Sequence, residues 1–272
     1  MELQDLETER RSNWGQTPES SCPQVDCAVG LIDKLGIVTH YPTSPELPNL
    51  LHAFTGSPDT RVQSEWDSSS GEVYTWRWLL GRRKAGFYTA IVQKRPTWVA
   101  WNLLPVVLRL RGDSRVLDEI YDTGDMSADA YRVASALEDA GSPLGTGDLR
   151  RAAGFPVGKA QRNAYLKAVA ELDAKLLVAK VFQDGDEDMR HVLVSTQYPE
   201  HVAAAEELTA DTALRGLLMQ YLPHAVFVRP APFAKAMGVS KHGVDAVLAE
   251  MARAGQVTCA PGELYIWIAP SA

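Results

Sequence analysis

The densest set of residues able to do chemistry lies between Thr146 and Lys180. There Arg150, Arg151, Lys159, Arg162, Lys167, Lys175 and Lys180 stand against only Asp148, Glu171 and Asp173. Such a local surplus of positive charge suits a polyanion, because each phosphate neutralised by a cationic side chain releases condensed counterions. Gln161 and Asn163 add the amide groups that bond base edges, so Arg150, Arg151, Lys159, Gln161, Arg162, Asn163 and Lys167 are candidate contacts to DNA. The bland alternative is an amphipathic helix showing its polar face to water. Lys241 and His242 form a second, weaker set. From Thr209 to Ile268 five basic residues face four acidic ones, which leaves packing or homodimerisation as the other role for that stretch. A third set is aromatic: Trp66, Trp76, Trp78, Trp98 and Trp101 share one span with Arg77, Arg82, Arg83 and Lys84. Rings beside cations can stack unpaired bases at ~1–3 kcal/mol per base, although such rings more often fill a core.

These residues need elements to position them. Ser127 can cap a helix with Tyr131, Ala134 and Leu137 on one face, and Gly141-Ser142-Pro143 ends it. A short segment, Thr146 to Gly154, follows. A longer helix from about Val157 to Lys175 then turns Tyr165, Leu166, Val169 and Leu172 inward. Two β-prone runs, LLVAKVFQ and MRHVLVST, flank the polar turn Asp184-Gly185-Asp186-Glu187-Asp188 and read as a hairpin. Its acidic tip conflicts with a wing laid on phosphates. The same order returns after Thr209: Leu214, Leu217, Leu218 and Tyr221 on one helix face, then a short proline-led helix closed by Gly238. A Ser240-capped helix with Val244, Val247, Leu248 and Met251 follows, and a hairpin across Pro261-Gly262 ends the series. Helix, short helix, longer helix and hairpin is the winged-helix order, in which the third helix enters the major groove.

The expected fold class is therefore α+β, mostly helical, with tandem winged-helix units carrying short β-hairpin wings. The division that follows is a disordered leader at 1–22, a Trp-rich α/β region at 23–125 and winged-helix units at 126–200 and 201–272. In the Trp-rich region, VYTWRW read as a strand would put Tyr74, Trp76 and Trp78 on one face and Arg77 on the other. With 46% hydrophobic and 22% charged residues the chain is globular, and no apolar run approaches the ~20 residues that span a bilayer. The polar first residues do not resemble a secretory signal. Three cysteines, an odd number, fit a reducing compartment, which points to the cytoplasm, with Cys22 and Cys27 as ordinary small apolar residues. Their spacing is too wide for a Cys-x-x-Cys knuckle, so neither metal nor cofactor is expected. The net charge of -7 requires any nucleic-acid contact to be local.

Several passages, GIVTHYPTSPELPNLLHAFTG, VYTWRW, FYTAIVQKRPTWVAWNLLP, LRRAAGF and QRNAYLKAVAELDAKLLV, resemble the bacterial AlkZ-related proteins. These are relatives of the AlkZ/YcaQ DNA glycosylases built of tandem winged helices, and the resemblance runs over about residues 25 to 265. It implies duplex DNA, with or without damage, as partner. In the glycosylases a Gln-aliphatic-Gln or Gln-aliphatic-Asp motif handles the attacking water. Only Gln24-Val25-Asp26 matches, at a predicted helix start where Asp26 also suits the helix dipole. No Gly-x-Ser-x-Gly, P-loop, Gly-x-Gly-x-x-Gly or His-Glu-x-x-His motif occurs. The expectation is a non-catalytic regulator or damage-response accessory factor that binds DNA, with a glycosylase of alkylated or crosslinked bases and a protein-interaction scaffold as alternatives.

Overall fold

The computed structural model describes residues 2–185 and 188–270. Helix α1 (Leu3–Asn13) occupies part of the expected disordered leader. Only Leu6 and Arg10, one turn apart, are buried along it, so no apolar stripe announces the helix in the sequence. Leu6 packs with Val226, Phe227 and Leu264, which ties the start of the chain to its last third.

The Trp-rich region then shows an order that its sequence concealed. Helix α2 (Val25–Leu35), strand β1 (Ile37–Thr39), helices α3 (Leu50–Thr55) and α4 (Ser69–Arg82), and strands β2 (Phe87–Val92) and β3 (Arg95–Val99) build an antiparallel sheet ordered β1-β3-β2. This is the same winged-helix plan as in the two later units. VYTWRW is not a strand but the middle of α4. Ser68 accepts the Gly71 N–H and caps the helix, while Val73, Trp76 and Leu80 are buried at helical spacing. The Ser68-Ser69-Ser70-Gly71 run is thus a helix start. Gly71 is required there, because a Cβ would stand 2.0 Å from the Trp66 carbonyl oxygen.

A 3-10 turn at Trp101–Leu103, α5 (Leu104–Arg111) and α6 (Leu117–Asp122) lead into the central unit. It comprises α7 (Ala128–Ala140), β4 (Leu144–Gly145), α8 (Thr146–Ala152), α9 (Lys159–Ala174), β5 (Val178–Val181) and β6 (Arg190–Leu193), with sheet order β4-β6-β5. Tyr165, Val169 and Leu172 of α9 face inward, but Leu166 does not, being 47% exposed. After α10 (Val194–Gln197) and α11 (Pro199–Glu206) comes the last unit: α12 (Ala210–Ala225), β7 (Phe227–Val228), α13 (Pro230–Met237), α14 (Lys241–Arg253), β8 (Val257–Ala260) and β9 (Leu264–Trp267), ordered β7-β9-β8. Here each expected inward residue of α12 and α14 is buried. Cys22 and Cys27 are joined as a disulfide, not two separate thiols, which removes the cysteine-count argument for a reducing compartment.

Packing is not serial. The first and last units share one hydrophobic core, running from Ile32 and Trp98 through Leu104 to Leu218 and Leu248. The central unit has its own, around Val133, Leu137, Leu149, Tyr165 and Leu172. Its wing makes the junction: Phe182, just past β5, lies against Trp78, Tyr88 and Trp98 at centroid distances of 5.5, 5.6 and 6.3 Å. The ring covers Gly81 of α4, where a Cβ would fall 2.2 Å from it. Gly81→Ala must push the ring out of this socket. We expect a loss of ~1–3 kcal/mol in urea unfolding with a change in native tryptophan fluorescence; unchanged stability and emission would refute the socket.

Candidate nucleic-acid interface

Helix α9 occupies the third-helix position of the central unit, and its start is the most open cationic surface of the set. Lys159, Gln161, Arg162, Asn163 and Lys167 are all exposed. The first turn holds no carboxylate, so the positive end of the helix dipole and Lys159 act in the same direction on an anion. Arg151 forms a 2.8 Å pair with Asp148, both well exposed. A surface pair of this kind is worth ~0–1 kcal/mol, so Arg151 can exchange Asp148 for a phosphate.

Arg150 has a different job. Its guanidinium donates to the Pro156 carbonyl oxygen and, at 3.5 Å, to that of Gly158. It braces the turn that launches α9 and is a positioning residue, which sequence alone could not distinguish from a phosphate contact. The braced turn presents Val157 at 99% exposure immediately before the helix. Two other members of the charge surplus are also committed to the fold: Lys180 bonds Asp173 at 2.8 Å, and Lys175 lies 3.6 Å from Asp113.

In the last unit Lys241 is 2.8 Å from Asp245 and 3.6 Å from Glu263 on the wing turn. The hydrogen bond to Asp245 raises its pKa and offsets its charge locally. His242 beside it is exposed. The start of α14 is consequently a poorer anion site than that of α9.

The aromatic block of the first unit is divided in its roles. Trp76 and Trp98 are buried, Trp78 and Trp101 half-buried, and Trp66 is 71% exposed. Arg77 lies 3.8 Å from the Tyr74 ring centroid and 5.0 Å from that of Trp78, so this cation is held over aromatic faces. Trp78 and Trp98, with Tyr88, form the socket for Phe182, which turns the acidic wing toward the first unit; Asp186 and Glu187 of its tip lie outside the described residues. The first unit has its own wing, missed in the sequence, with Lys94 and Arg95 exposed at its tip. Gln93 and Lys94 both have positive φ, 49° and 60°, the pattern of a two-residue hairpin turn without the usual Asn-Gly signal.

Buried histidines underpin two of the three sheets. His40 accepts a 2.9 Å hydrogen bond from Trp98 Nε1 through its Nε2, so that nitrogen is unprotonated. Burial, then the Arg77 charge, lowers its pKa to about 3; burial and Lys180 lower that of His191 to about 4. Folded values below the unfolded ~6.5 mean that both stabilise the fold above pH 6.5 and lose that contribution as pH falls toward the folded values. At pH 5 the shortfall is ~2 kcal/mol for each. Imidazole nitrogen spectra at pH 5.0 should show both rings still neutral in the native protein; an imidazolium signal from either would contradict this.

Gln24 and Asp26 stand at the start of α2. Gln24 is exposed, makes no side-chain cap, and Asp26 is 83% exposed and paired with Arg83. They do not line any of the described cavities.

The model of the family described as AlkZ related matches residues 22–220. No curated protein matches the chain. Among solved structures the chain is similar to the Streptomyces sahachiroi DNA glycosylase AlkZ, with a TM-score of 0.59 and 11% identity over 99% of this chain and 70% of that one. At that identity the likeness is one of fold. The match over most of its length places this chain, with its three winged-helix units, in the AlkZ-related family.

Proposed function

We propose that the protein binds duplex DNA through the start of α9, as a non-catalytic regulator or accessory factor in the response to DNA damage. The observation that carries this is the exposed group Lys159, Gln161, Arg162 and Asn163 at one helix start, with Lys167 exposed further along the same helix, while Arg150, Lys175, Lys180 and Lys241 are engaged within the fold. Cations supply salt-dependent affinity and the two amides supply hydrogen bonds to base edges. The damage-related context rests on the family and on the glycosylase whose fold the chain shares. Base excision would require a recess that takes an extruded nucleotide and a carboxylate holding water; Asp26 is instead exposed and paired with Arg83. Among the described residues no helix is long and apolar enough to cross a membrane.

Fluorescence anisotropy with a duplex at two salt concentrations, followed by an abasic-site assay on alkylated DNA, tests the proposal. The expected result is salt-sensitive binding without abasic sites. Strand cleavage at alkali-revealed abasic sites would establish the glycosylase instead, and absence of binding at low salt would favour a protein-interaction scaffold.

A further inference from the structure

A cavity of about 320 Å³ opens where the two hydrophobic cores meet. Its floor is apolar and buried: Leu108, Leu176, Val194 and Ala205 come from the larger core, and Leu193 from that of the central unit. The volume falls within the range of roughly 300–1,000 Å³ typical of small-molecule sites. Its charged lining splits into two groups. Asp113 and Arg115 are already paired with each other at 2.7 Å, and further pairs tie Arg115 to Asp125 and Asp113 to Lys175. Arg109, Glu138 and Glu206 are exposed at the mouth and, among the described residues, without such pairing, two carboxylates against one guanidinium.

We propose that this cavity binds an apolar molecule of drug size carrying one basic nitrogen. The apolar body displaces water from the leucine and valine floor, which is the main source of affinity. The protonated nitrogen stays at the mouth, where Glu138 and Glu206 leave an excess of negative charge, so that it is never buried unpaired. Walls drawn from both cores make the ligand a brace across the seam, and binding only the folded arrangement raises the unfolding temperature. The site is separate from the start of α9 and does not depend on the DNA proposal.

The test uses the full chain and 1-naphthylmethylamine, whose naphthalene reports its own immobilisation by fluorescence anisotropy. Saturable binding with Kd on the order of 100 µM is expected, together with a raised unfolding temperature. Ser195→Trp and Val116→Trp each put an indole at the mouth from an exposed position, and either variant that folds should abolish binding. Glu138→Gln with Glu206→Gln should weaken the amine about tenfold, and 1-naphthaleneacetate should bind wild type about tenfold less tightly than the amine. The proposal is overturned by lack of saturable binding in the folded protein, by undiminished binding in a folded blocked variant, or by an anion that binds as tightly as the amine.

Discussion

Arg10→Ala should cost ~3–5 kcal/mol of folding free energy, the loss expected when one partner of a buried ion pair is removed. Arg10 is nearly inaccessible, yet it holds three parts of the molecule together. It pairs with the buried Glu46 at 3.6 Å, donates at 2.7 Å to the Ala225 carbonyl oxygen and also to that of Phe227, and lies 3.6 Å from the Phe227 ring centroid. Truncation would leave Glu46 without its nearest cation and two backbone oxygens without a donor. Burial already raises the Glu46 pKa, against the lowering effect of Arg10 and Arg229. A carboxyl whose folded pKa is raised gives most stability below its unfolded value, and loses it as pH rises through the folded value. Without Arg10 that folded pKa climbs further. The variant should therefore be weakest at pH 7.5 and recover partly at pH 5.5, relative to wild type. Replacing both partners, Arg10→Met with Glu46→Leu, should restore the part of the loss due to the uncompensated charge, since an apolar pair leaves no buried charge, but not the part due to the two backbone oxygens, which still lack a donor. Urea unfolding of the three proteins at both pH values measures this; a single variant within 1 kcal/mol of wild type would refute a structural role for the pair.

The same residue explains why the leader was illegible. A helix anchored by one leucine and one arginine has the composition of a solvated segment, and tertiary contacts decide its fate. In the last unit the opposite holds: Thr209 and Ser240 cap helices whose four apolar positions recur at regular spacing, so propensity, pattern and packing agree. The first unit hid its hairpin because most of β2 and the last three residues of β3 are buried on both faces, which erases the alternation that marks a half-exposed strand. Aromatic-rich α4 resembled a strand for a related reason, since tryptophans and tyrosine are common in sheets. At the candidate interface, charge type was legible and charge availability was not. Lys180 looks like Lys159 in the sequence, but Asp173 reaches it only in the fold; Lys241 has Asp245 one helical turn further on, a pair that the predicted helix already allows, and the fold adds Glu263.

That distinction sets the second large effect. Lys159→Ala, Arg162→Ala and Lys167→Ala together should remove three phosphate contacts and lower duplex affinity about 100-fold near 0.15 M salt, the magnitude that follows from ~0.9 unit of log-log slope per contact. Arg151 is left in place because its partner Asp148 makes its contribution harder to assign. Arg150 is excluded because its loss would disturb the turn before α9 and mimic a lost contact. Lys241→Ala with His242→Ala serves as the comparison, since Lys241 is already engaged by two carboxylates. All three altered positions of α9 are exposed, so the variant should unfold at the wild-type denaturant midpoint.

The most direct measurement is the slope of log Kd against log salt concentration for one duplex, recorded by fluorescence anisotropy for wild type, the α9 triple variant and the α14 double variant. We expect the triple variant to flatten the slope by roughly two to three units and the double variant by less than about one. An α9 variant that keeps the wild-type affinity and slope would contradict DNA binding through this helix.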